Sequence, residues 1–181
     1  MGEIKTPMPV KGIAAISLSD LSLWPSVREK IEAAWSDIHL EMDWYSFTHT
    51  NYYAAEMGEQ LSKKMIAFTT HWPLNSLPDF KHRSNAIEKD FLLHRNRQVN
   101  IDPGYITAAK LILATTKNFA HRIYLDRGIW GDLHLSYRDG HFQPRDWTYL
   151  DYREPDVISF FTNVRTTYLQ ELGQNMLEQY S

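Results

Sequence analysis

The segment VKGIAAISL, residues 10–18, is short and almost wholly apolar, and Ser19 and Asp20 follow it. This pattern predicts a buried β-strand. Outward from it, the first hundred residues alternate in the order β-α-β-β-α-β, if a short helical turn at 50–58 is set aside. That order is typical of ferredoxin-like folds. The other five elements are predicted at 24–38 (helix), 42–47 (strand), 63–70 (strand), 78–94 (helix) and 97–104 (strand).

Local signals set the expected ends of these elements. Ser26 and Glu29 have the spacing of a capping box in the first turn of the first helix. Asp102-Pro103-Gly104 predicts a turn that ends the strand at 97–104, because Asp, Pro and Gly are the residues that favour turns.

The rest of the chain is predicted to be mostly antiparallel β. Strands are expected at 110–117, 121–125 and 129–138. Hairpin turns are expected at 126–128 (Asp-Arg-Gly) and 138–140 (Arg-Asp-Gly). A final helix is expected to begin at 154–156 and to end at Gly173. No repeat or linker divides the sequence, which therefore predicts a single α+β domain over residues 1–181.

The composition narrows the possible classes of protein. Hydrophobic residues make up 43% of the chain and aromatic residues 13%, enough for a substantial core. The chain has no cysteine, which excludes disulfides, thiolate catalysis and cysteine-ligated metals. No apolar segment is long enough for a membrane span, and the N-terminus lacks the apolar region of a signal peptide. The expected location is the cytoplasm, with no membrane association.

Charge is unevenly distributed along the chain. The net charge is −3, yet residues 81–127 hold nine Lys and Arg against four Asp and Glu, a local charge of +5. A basic segment attracts phosphate-bearing ligands, although it can equally be a solvated face. Dedicated nucleic-acid binders carry more positive charge, so a nucleic-acid partner has only weak support. The common nucleotide-binding, hydrolase-elbow and zinc-helix motifs are absent from the sequence.

Two polar clusters each allow two interpretations. Lys81, Asn85 and Glu88 share one face of the second predicted helix, as a solvated edge or as a polar triplet facing a cleft. Asp132 and His134 alternate with apolar residues on a predicted strand. They can form an acid/base pair or two metal ligands, but the exposed face of an antiparallel sheet gives the same pattern.

Two further clusters contain residues suited to ligands. Lys117 and Arg122 can hold a phosphate group, and His121 between them can donate a proton. Around residues 147–153, aromatic side chains alternate with an Asp and an Arg. Such a segment can stack a planar ring, or it can plug the end of a core.

These clusters belong to a wider resemblance. NYYAAEMG, the Lys-x-x-x-Asn-x-x-Glu helix, VNIDPGY, LATTKNFAHRIYL and WTYLDYR resemble, in order, the signature blocks of a bacterial family, domain of unknown function 4416. The resemblance runs from Val10 to Tyr168. Members are often called GTP-binding proteins, but this chain lacks a phosphate loop and the Asn-Lys-x-Asp motif. One block departs from the family pattern, with Asp132 where Glu is usual and His134 where Thr is usual.

The resemblance implies a set of signature polar residues in this chain. They are Tyr52, Tyr53, Glu56, Lys81, Asn85, Glu88, Asn100, Asp102, Tyr105, Lys117, His121, Arg122, Tyr124, Trp147, Tyr149, Asp151 and Arg153. Motifs that mix charged and aromatic residues are hard to explain by packing alone, so the set favours a functional site.

We therefore expect a polar cleft that binds a small, phosphate-bearing ligand and supports hydrolysis or phosphoryl transfer. The expected catalytic residues are His121 as general acid/base, with Lys117 and Arg122 stabilising negative charge. The expected ligand-binding residues are Lys81, Asn85, Glu88, Asn100, Tyr105, Trp147, Tyr149 and Arg153. Glu56, Asp102 and Asp151 are candidate ligands for Mg²⁺ or Mn²⁺. The alternative is a non-catalytic module that binds protein or RNA, in which these residues form a structural polar network.

Overall fold

A computed structural model describes residues 2–47, 54–58 and 60–179. The strands are β1 (Val10–Leu18), β2 (Ile38–Glu41), β3 (Tyr45–Phe47), β4 (Leu61–Trp72), β5 (Leu92–Leu93), β6 (Asn96–Arg97), β7 (Val99–Ile106), β8 (Lys110–Thr115), β9 (Arg122–Asp126), β10 (Ile129–Arg138) and β11 (His141–Pro144). The helices are α1 (Trp24–Ala34), α2 (Ala54–Met57), α3 (Leu77–Asp90) and α4 (Pro155–Gln179). The protein is α+β, as predicted.

One antiparallel sheet contains strands from both the first hundred residues and the remainder of the chain. Its strands follow the order β11-β10-β8-β7-β1-β4-β2, with β3 beside β4 and β9 beside β10, which makes nine strands among the described residues. β1 lies between β4 and β7, and all nine of its residues are buried. The prediction of a buried strand at 10–18 is confirmed, because β1 has a neighbour on each edge and a core on each face.

The two cores lie on opposite faces of the sheet. Ala14 and Ile16 of β1 pack towards α1 and α3, in a cluster with Ile31 of α1 and Ile87 of α3. The intervening residues of β1, such as Ile13, pack towards α4. This alternation follows from the period of two along a strand. Among the described residues, no helix is long and apolar enough to cross a bilayer.

The turn expected at Asp102-Pro103-Gly104 was wrong, because β7 continues through it to Ile106. β1 pairs along the whole of this stretch, whereas β8 pairs with β7 only from Gly104 onwards. The N–H of Thr107 donates to the carbonyl of Lys110, on the β8 side of the strand. Along a strand, the N–H groups of successive residues point to alternate edges. The missing N–H of Pro103 therefore faces the edge at which the ladder to β8 stops.

Other corrections concern helix ends. A 3₁₀ turn at Leu21–Leu23 precedes α1, and the side chain of Asp20 accepts the N–H of Ser22, so the expected capping box is not the cap. α3 ends at Asp90, where a small β5–β6 hairpin takes over from the predicted helix. Conversely, α4 continues through Gly173 to Gln179.

The two predicted hairpin turns are confirmed. Arg127 and Gly128 join β9 to β10, and Asp139 and Gly140 join β10 to β11, all four with positive φ. Two consecutive residues of positive φ are the signature of type I′ turns, which match the twist of paired strands.

Gly104 is the residue at which a side chain would disturb the β7–β8 junction. A Cβ added there would lie 2.5 Å from the carbonyl oxygen of Ile112 and 2.7 Å from the side chain of Leu113. We expect Gly104→Ala to lower the free energy of unfolding by about 1–3 kcal/mol, since backbone must shift to relieve the overlap. Denaturant-induced unfolding measures the change.

Gly173→Ala is the matched control for that variant. Among the described atoms outside its own helix backbone and chain neighbours, none lies within 4 Å of a Cβ at this position. The substitution should therefore be neutral or stabilising by up to about 1 kcal/mol. Equal stability of Gly104→Ala and the unmodified protein would show that the junction tolerates a side chain.

Candidate ligand-binding cleft

A cleft opens where β7 and β8 part, and it has two connected chambers. The aromatic chamber has a volume of about 510 Å³ and the polar chamber about 440 Å³. Both are lined by Asp102, Leu113, Lys117 and Tyr149, so the two chambers adjoin where the β7–β8 ladder stops. The aromatic chamber is also lined by Phe47, Lys63, Phe119, His121, Arg122, Trp147, Thr148, Leu150, Asp151 and Tyr152. The polar chamber adds Lys81, Asn85, Glu88, Lys89, Leu92, Arg97, Asn100, Ala114, Thr115, Thr116 and Asp132.

Side chains of α3 replace the missing β8 partner on the open edge of β7. The N–H of Ile101 donates to Glu88 Oε1 at 2.7 Å, and Lys81 Nζ donates to the Ile101 carbonyl at 3.1 Å. Both side chains belong to residues only 6% exposed. Of the two interpretations of the α3 triplet, the solvated edge was therefore wrong for Lys81 and Glu88. With Asn85, they line the polar chamber.

Asp102 stands at the junction of the two chambers. Its Oδ1 accepts from Lys81 Nζ at 3.0 Å and its Oδ2 accepts from Asn100 Nδ2 at 2.8 Å. Burial by itself would raise the pKa of Asp102, but the charges of Lys81 and Lys63 and these hydrogen bonds outweigh it and hold the pKa below its ordinary value. The carboxylate is thus ionised at neutral pH and accessible from the cleft.

Glu88, a second acidic residue of the polar chamber, has a pKa shifted in the opposite direction. Burial raises the pKa of Glu88 and is reinforced by the nearby charge of Asp102, although Lys81 and the Ile101 N–H oppose the rise. Arg97 Nη1 lies 3.5 Å from Glu88 Oε2 and also donates to Asn100 Oδ1 at 3.2 Å. Glu88 therefore acts mainly as an acceptor for protein donors.

Of the three expected metal ligands, Asp102 and Asp151 both line the aromatic chamber, but Glu56 does not join them. Glu56 is exposed and lines neither chamber; its Oε2 accepts from Arg97 Nε at 2.8 Å and Nη2 at 2.6 Å. Asp102 binds Lys81, and Asp151 binds Lys63. Within the described parts of the chain, no group of three or more acidic and His side chains has metal-binding geometry. The structure gives the Mg²⁺ or Mn²⁺ prediction no support.

A buried cluster of charged side chains on β9 and β10 forms part of the cleft wall. Arg122 Nε donates to Asp132 Oδ2 at 2.8 Å, while its Nη1 and Nη2 reach the Lys117 carbonyl at 3.0 Å and the Tyr149 hydroxyl at 3.3 Å. Burial would raise the pKa of Asp132, but the hydrogen bonds from His134 and Arg122 and the charge of Arg122 lower it. Asp132 is only 1% exposed.

The exposed-face interpretation of Asp132 and His134 was therefore wrong. A bulge in β10 lies between Leu133 and Leu135 in the pairing with β8, which places His134 at the irregularity. His134 is completely buried. The alternation of polar and apolar residues in the sequence does not reveal such a bulge, because an extra residue changes which face each later side chain occupies.

His134 has partners for both ring nitrogens. The Tyr149 N–H donates to Nε2 at 3.3 Å, so Nδ1 carries the proton and donates to Asp132 Oδ1 at 3.2 Å. The hydroxyl of Thr148 also donates to the His134 carbonyl. His134 thereby fixes the segment that supplies Tyr149 to the cleft.

His121 faces the aromatic chamber with its ring partly accessible. Its Nε2 lies 3.5 Å from Asp132 Oδ2, and its side chain is 21% exposed. The ring stacks on Trp147, with centroids 4.7 Å apart and planes 15° from parallel. Trp147 is held in turn by a 2.8 Å hydrogen bond from Nε1 to the Leu133 carbonyl. All three expected catalytic residues line the cleft, but the guanidinium of Arg122 is engaged with protein acceptors.

Lys63 is a lining residue that the sequence analysis missed. Its Nζ lies 2.6 Å from Asp151 Oδ2, 4.5 Å from the ring centroid of Phe47 and 5.4 Å from that of Tyr152. A signal was present, since Lys63 shares its strand face with Met65 and is therefore directed towards the core. The alternation of β4 predicts a buried lysine, which requires a paired charge.

Two expected ligand-binding residues lie outside both chambers. Tyr105 belongs to the core on the α1 and α3 side of the sheet. Arg153 is exposed and donates to the carbonyls of Thr148, Arg145 and Asp146 at 3.1, 2.9 and 3.0 Å, which braces the loop before α4. Asn100, Trp147 and Tyr149 do line the cleft. Tyr52 and Tyr53 lie outside the described residues.

These features define an α+β protein with a two-chamber cleft at a parted strand pair. The profile of a protein family, described as a domain of unknown function (DUF4416), matches residues 8–168. The chain belongs to this family, and the resemblance predicted from its sequence blocks is confirmed. No curated protein and no solved structure matches the chain.

We expect Asp132→Asn to lower the free energy of unfolding by about 3 kcal/mol near neutral pH, because it leaves the buried Arg122 without a counter-charge. Asp132 has a lowered folded-state pKa, so its ionisation contributes stability above about pH 4, and the contribution is lost as pH falls through the folded pKa. The difference between the two proteins should therefore shrink in acid. Denaturant unfolding at a series of pH values measures it.

Asp90→Asn is the control, since Asp90 and Lys30 form an exposed ion pair. It should change stability by no more than about 0.5 kcal/mol. An effect of Asp132→Asn as small as this, or one that does not vary with pH, would contradict the role given to the Arg122–Asp132 pair.

Proposed function

We propose that this protein binds a small phosphate-bearing ligand whose planar ring lies in the aromatic chamber. The observation that carries the proposal is the union of two unlike chambers through shared residues. The ring wall is built by the parallel rings of His121 and Trp147. Ligand sites of this size usually combine an apolar surface with a few fixed polar groups.

The charges of the cleft support an anionic ligand. Among its described lining residues, six Lys and Arg accompany four Asp and Glu. Lys117 lies at the rim that both chambers share and is exposed. Lys63 and Arg122 lie deeper, and they contribute positive potential while their hydrogen bonds hold the walls. The cleft is thus preorganised, with little reorganisation needed on binding.

For a ligand whose phosphate lies in the aromatic chamber, His121 is the group that we propose for proton transfer in hydrolysis or phosphoryl transfer. An imidazole within reach of a ligand can donate or accept a proton in general acid–base catalysis. We expect His121→Gln to weaken the thermal stabilisation by ligand, because it removes one ring of the stacking wall. At saturating ligand it should still lose at least about tenfold in phosphate release. Release is measured with each phosphate ester that stabilises the protein. Unchanged release would remove His121 from the catalytic role.

Thermal unfolding in the presence of nucleotides, sugar phosphates and inorganic phosphate, with and without Mg²⁺ or Mn²⁺, tests the binding proposal. A ligand at 100 times its dissociation constant should stabilise by about 2.7 kcal/mol, a shift of a few degrees. Lys117→Ala should reduce the shift, because it removes positive charge at the shared rim.

Lys110→Ala is the matched control, since Lys110 is an exposed lysine at the other end of β8 and lines neither chamber. It should leave the ligand shift unchanged. If the whole panel is flat, or if both lysine variants behave alike, the proposed phosphate-bearing ligand is wrong.

A second candidate function is the binding of a protein partner along β9. Three successive residues of this strand are exposed, with Ile123 73%, Tyr124 54% and Leu125 40% accessible. Within the described sheet, β9 pairs only with β10, so its other edge is open to a further strand. A flat ligand panel would make this edge the better assignment.

We also infer a ferredoxin-like core for the N-terminal part. The support is the antiparallel order β7-β1-β4, with β2 and β3 both on the other edge of β4. β3 lies within the strand predicted at 42–47, whereas β2 was not predicted. The C-terminal strands then extend this core beyond β7.

A further inference from the structure

We propose that the ligand is a nucleoside monophosphate that spans both chambers. Its base would occupy the aromatic chamber, its ribose hydroxyls would donate to Asp102, and its phosphate would lie in the polar chamber. This inference rests on the proposed function and specifies the ligand class of the same cleft. Three properties of the described residues carry it: the continuity of the chambers, the acceptors of Asp102 and the charge of the polar chamber.

Continuity requires that one molecule can reach both sets of walls. Asp102 and Leu113 of the β7–β8 junction, together with Lys117 and Tyr149, contribute to both chambers. No strand pairing separates the chambers at this point, because the β7–β8 ladder stops at Gly104 and Leu113. A ligand with a ring at one end and an anion at the other therefore fits the course of the cleft.

Asp102 supplies acceptors at the middle of that course. Each carboxylate oxygen accepts one hydrogen bond from the protein, Oδ1 from Lys81 and Oδ2 from Asn100. A carboxylate oxygen can accept two, so one acceptor position remains on each. The side chain is 27% exposed. Two adjacent acceptors on an ionised carboxylate match the vicinal hydroxyls of a ribose, a pairing that dinucleotide-binding proteins also use.

The polar chamber supplies positive charge for the phosphate group of the ligand. Its described basic side chains are Lys81, Lys89, Arg97 and Lys117, and its described acidic side chains are Glu88, Asp102 and Asp132. Asp132 is neutralised by Arg122, Lys81 is paired with Asp102, Arg97 is paired with Glu56 outside the chamber, and Glu88 is engaged by the Ile101 N–H. The remaining charge is modest, which suits one phosphate group better than a triphosphate. The hydroxyls of Thr115 and Thr116 lie at the same wall.

Titration calorimetry with nucleosides, nucleoside 5′-monophosphates and 2′,3′-dideoxynucleoside 5′-monophosphates tests the inference. With the best base, the monophosphate should bind at least about tenfold more tightly than the nucleoside. Removal of both ribose hydroxyls should lower the affinity about tenfold, because it leaves the acceptors of Asp102 without their partners.

Asp102→Asn separates a contact with the ribose from a general effect on the cleft. The variant should bind the monophosphate about tenfold more weakly but the dideoxy analogue almost as tightly as the unmodified protein does. The substitution and the removal of the hydroxyls eliminate the same interaction, so their effects should not add. Asp90→Asn, at an exposed carboxylate outside both chambers, is the control and should bind like the unmodified protein. Unchanged dideoxy affinity also shows that Asp102→Asn has kept the cleft folded.

The possible failures are distinguishable. Equal affinity for nucleoside and monophosphate, or additive losses from Asp102→Asn and from hydroxyl removal, would overturn the spanning ligand while leaving ring binding in place. Binding of sugar phosphates or inorganic phosphate without any nucleoside monophosphate would do the same and leave a phosphate site. If none of these probes binds, the inference and the proposed function fail together.

Discussion

Opening an antiparallel sheet exposes peptide groups that need new partners, and the cleft of this protein depends on how Ile101 meets that constraint. Its N–H and carbonyl receive Glu88 and Lys81 from α3 in place of β8. Pro103, the next residue that faces the same edge, has no N–H to satisfy. The strands can therefore part without leaving an unpaired donor at either position, and the space between them becomes the two chambers.

The charges around the cleft form an inner and an outer layer. In the inner layer, buried cations have carboxylate partners, as in Arg122–Asp132 and Lys63–Asp151, so the desolvation of each charge is offset. The outer layer consists of groups that reach the open space, among them His121 and the rings beside it. The inner layer holds the outer one in position, which is the arrangement that a preorganised binding site requires. A structural polar network and the proposed ligand site are thus parts of the same assembly.

Hydrogen bonds connect the inner layer to the outer one. Asp132 holds Arg122 and the neutral ring of His134, and His134 accepts the N–H of Tyr149, which lines both chambers. A change at Asp132 therefore reaches the cleft through two short chains of hydrogen bonds. Asp102 is arranged differently, because its pKa is lowered by lysines while part of its carboxylate stays accessible. It is the better placed of the two aspartates for contact with a ligand.

Local signals in the sequence determined the order of the elements, the buried strand β1 and both type I′ hairpins, since each depends on residues close together in the chain. They also identified His121, Lys117, Trp147 and Tyr149 as cleft residues. Only the tertiary structure decided that β7 runs through Asp102-Pro103-Gly104, that polar residues of α3 and β10 are buried, and that Lys63 joins the site. Those outcomes depend on partners far apart in sequence, such as Lys63 and Asp151, which are 88 residues apart. Periodicity and turn propensity contain no information about such pairs, because burial is set by what packs against a face.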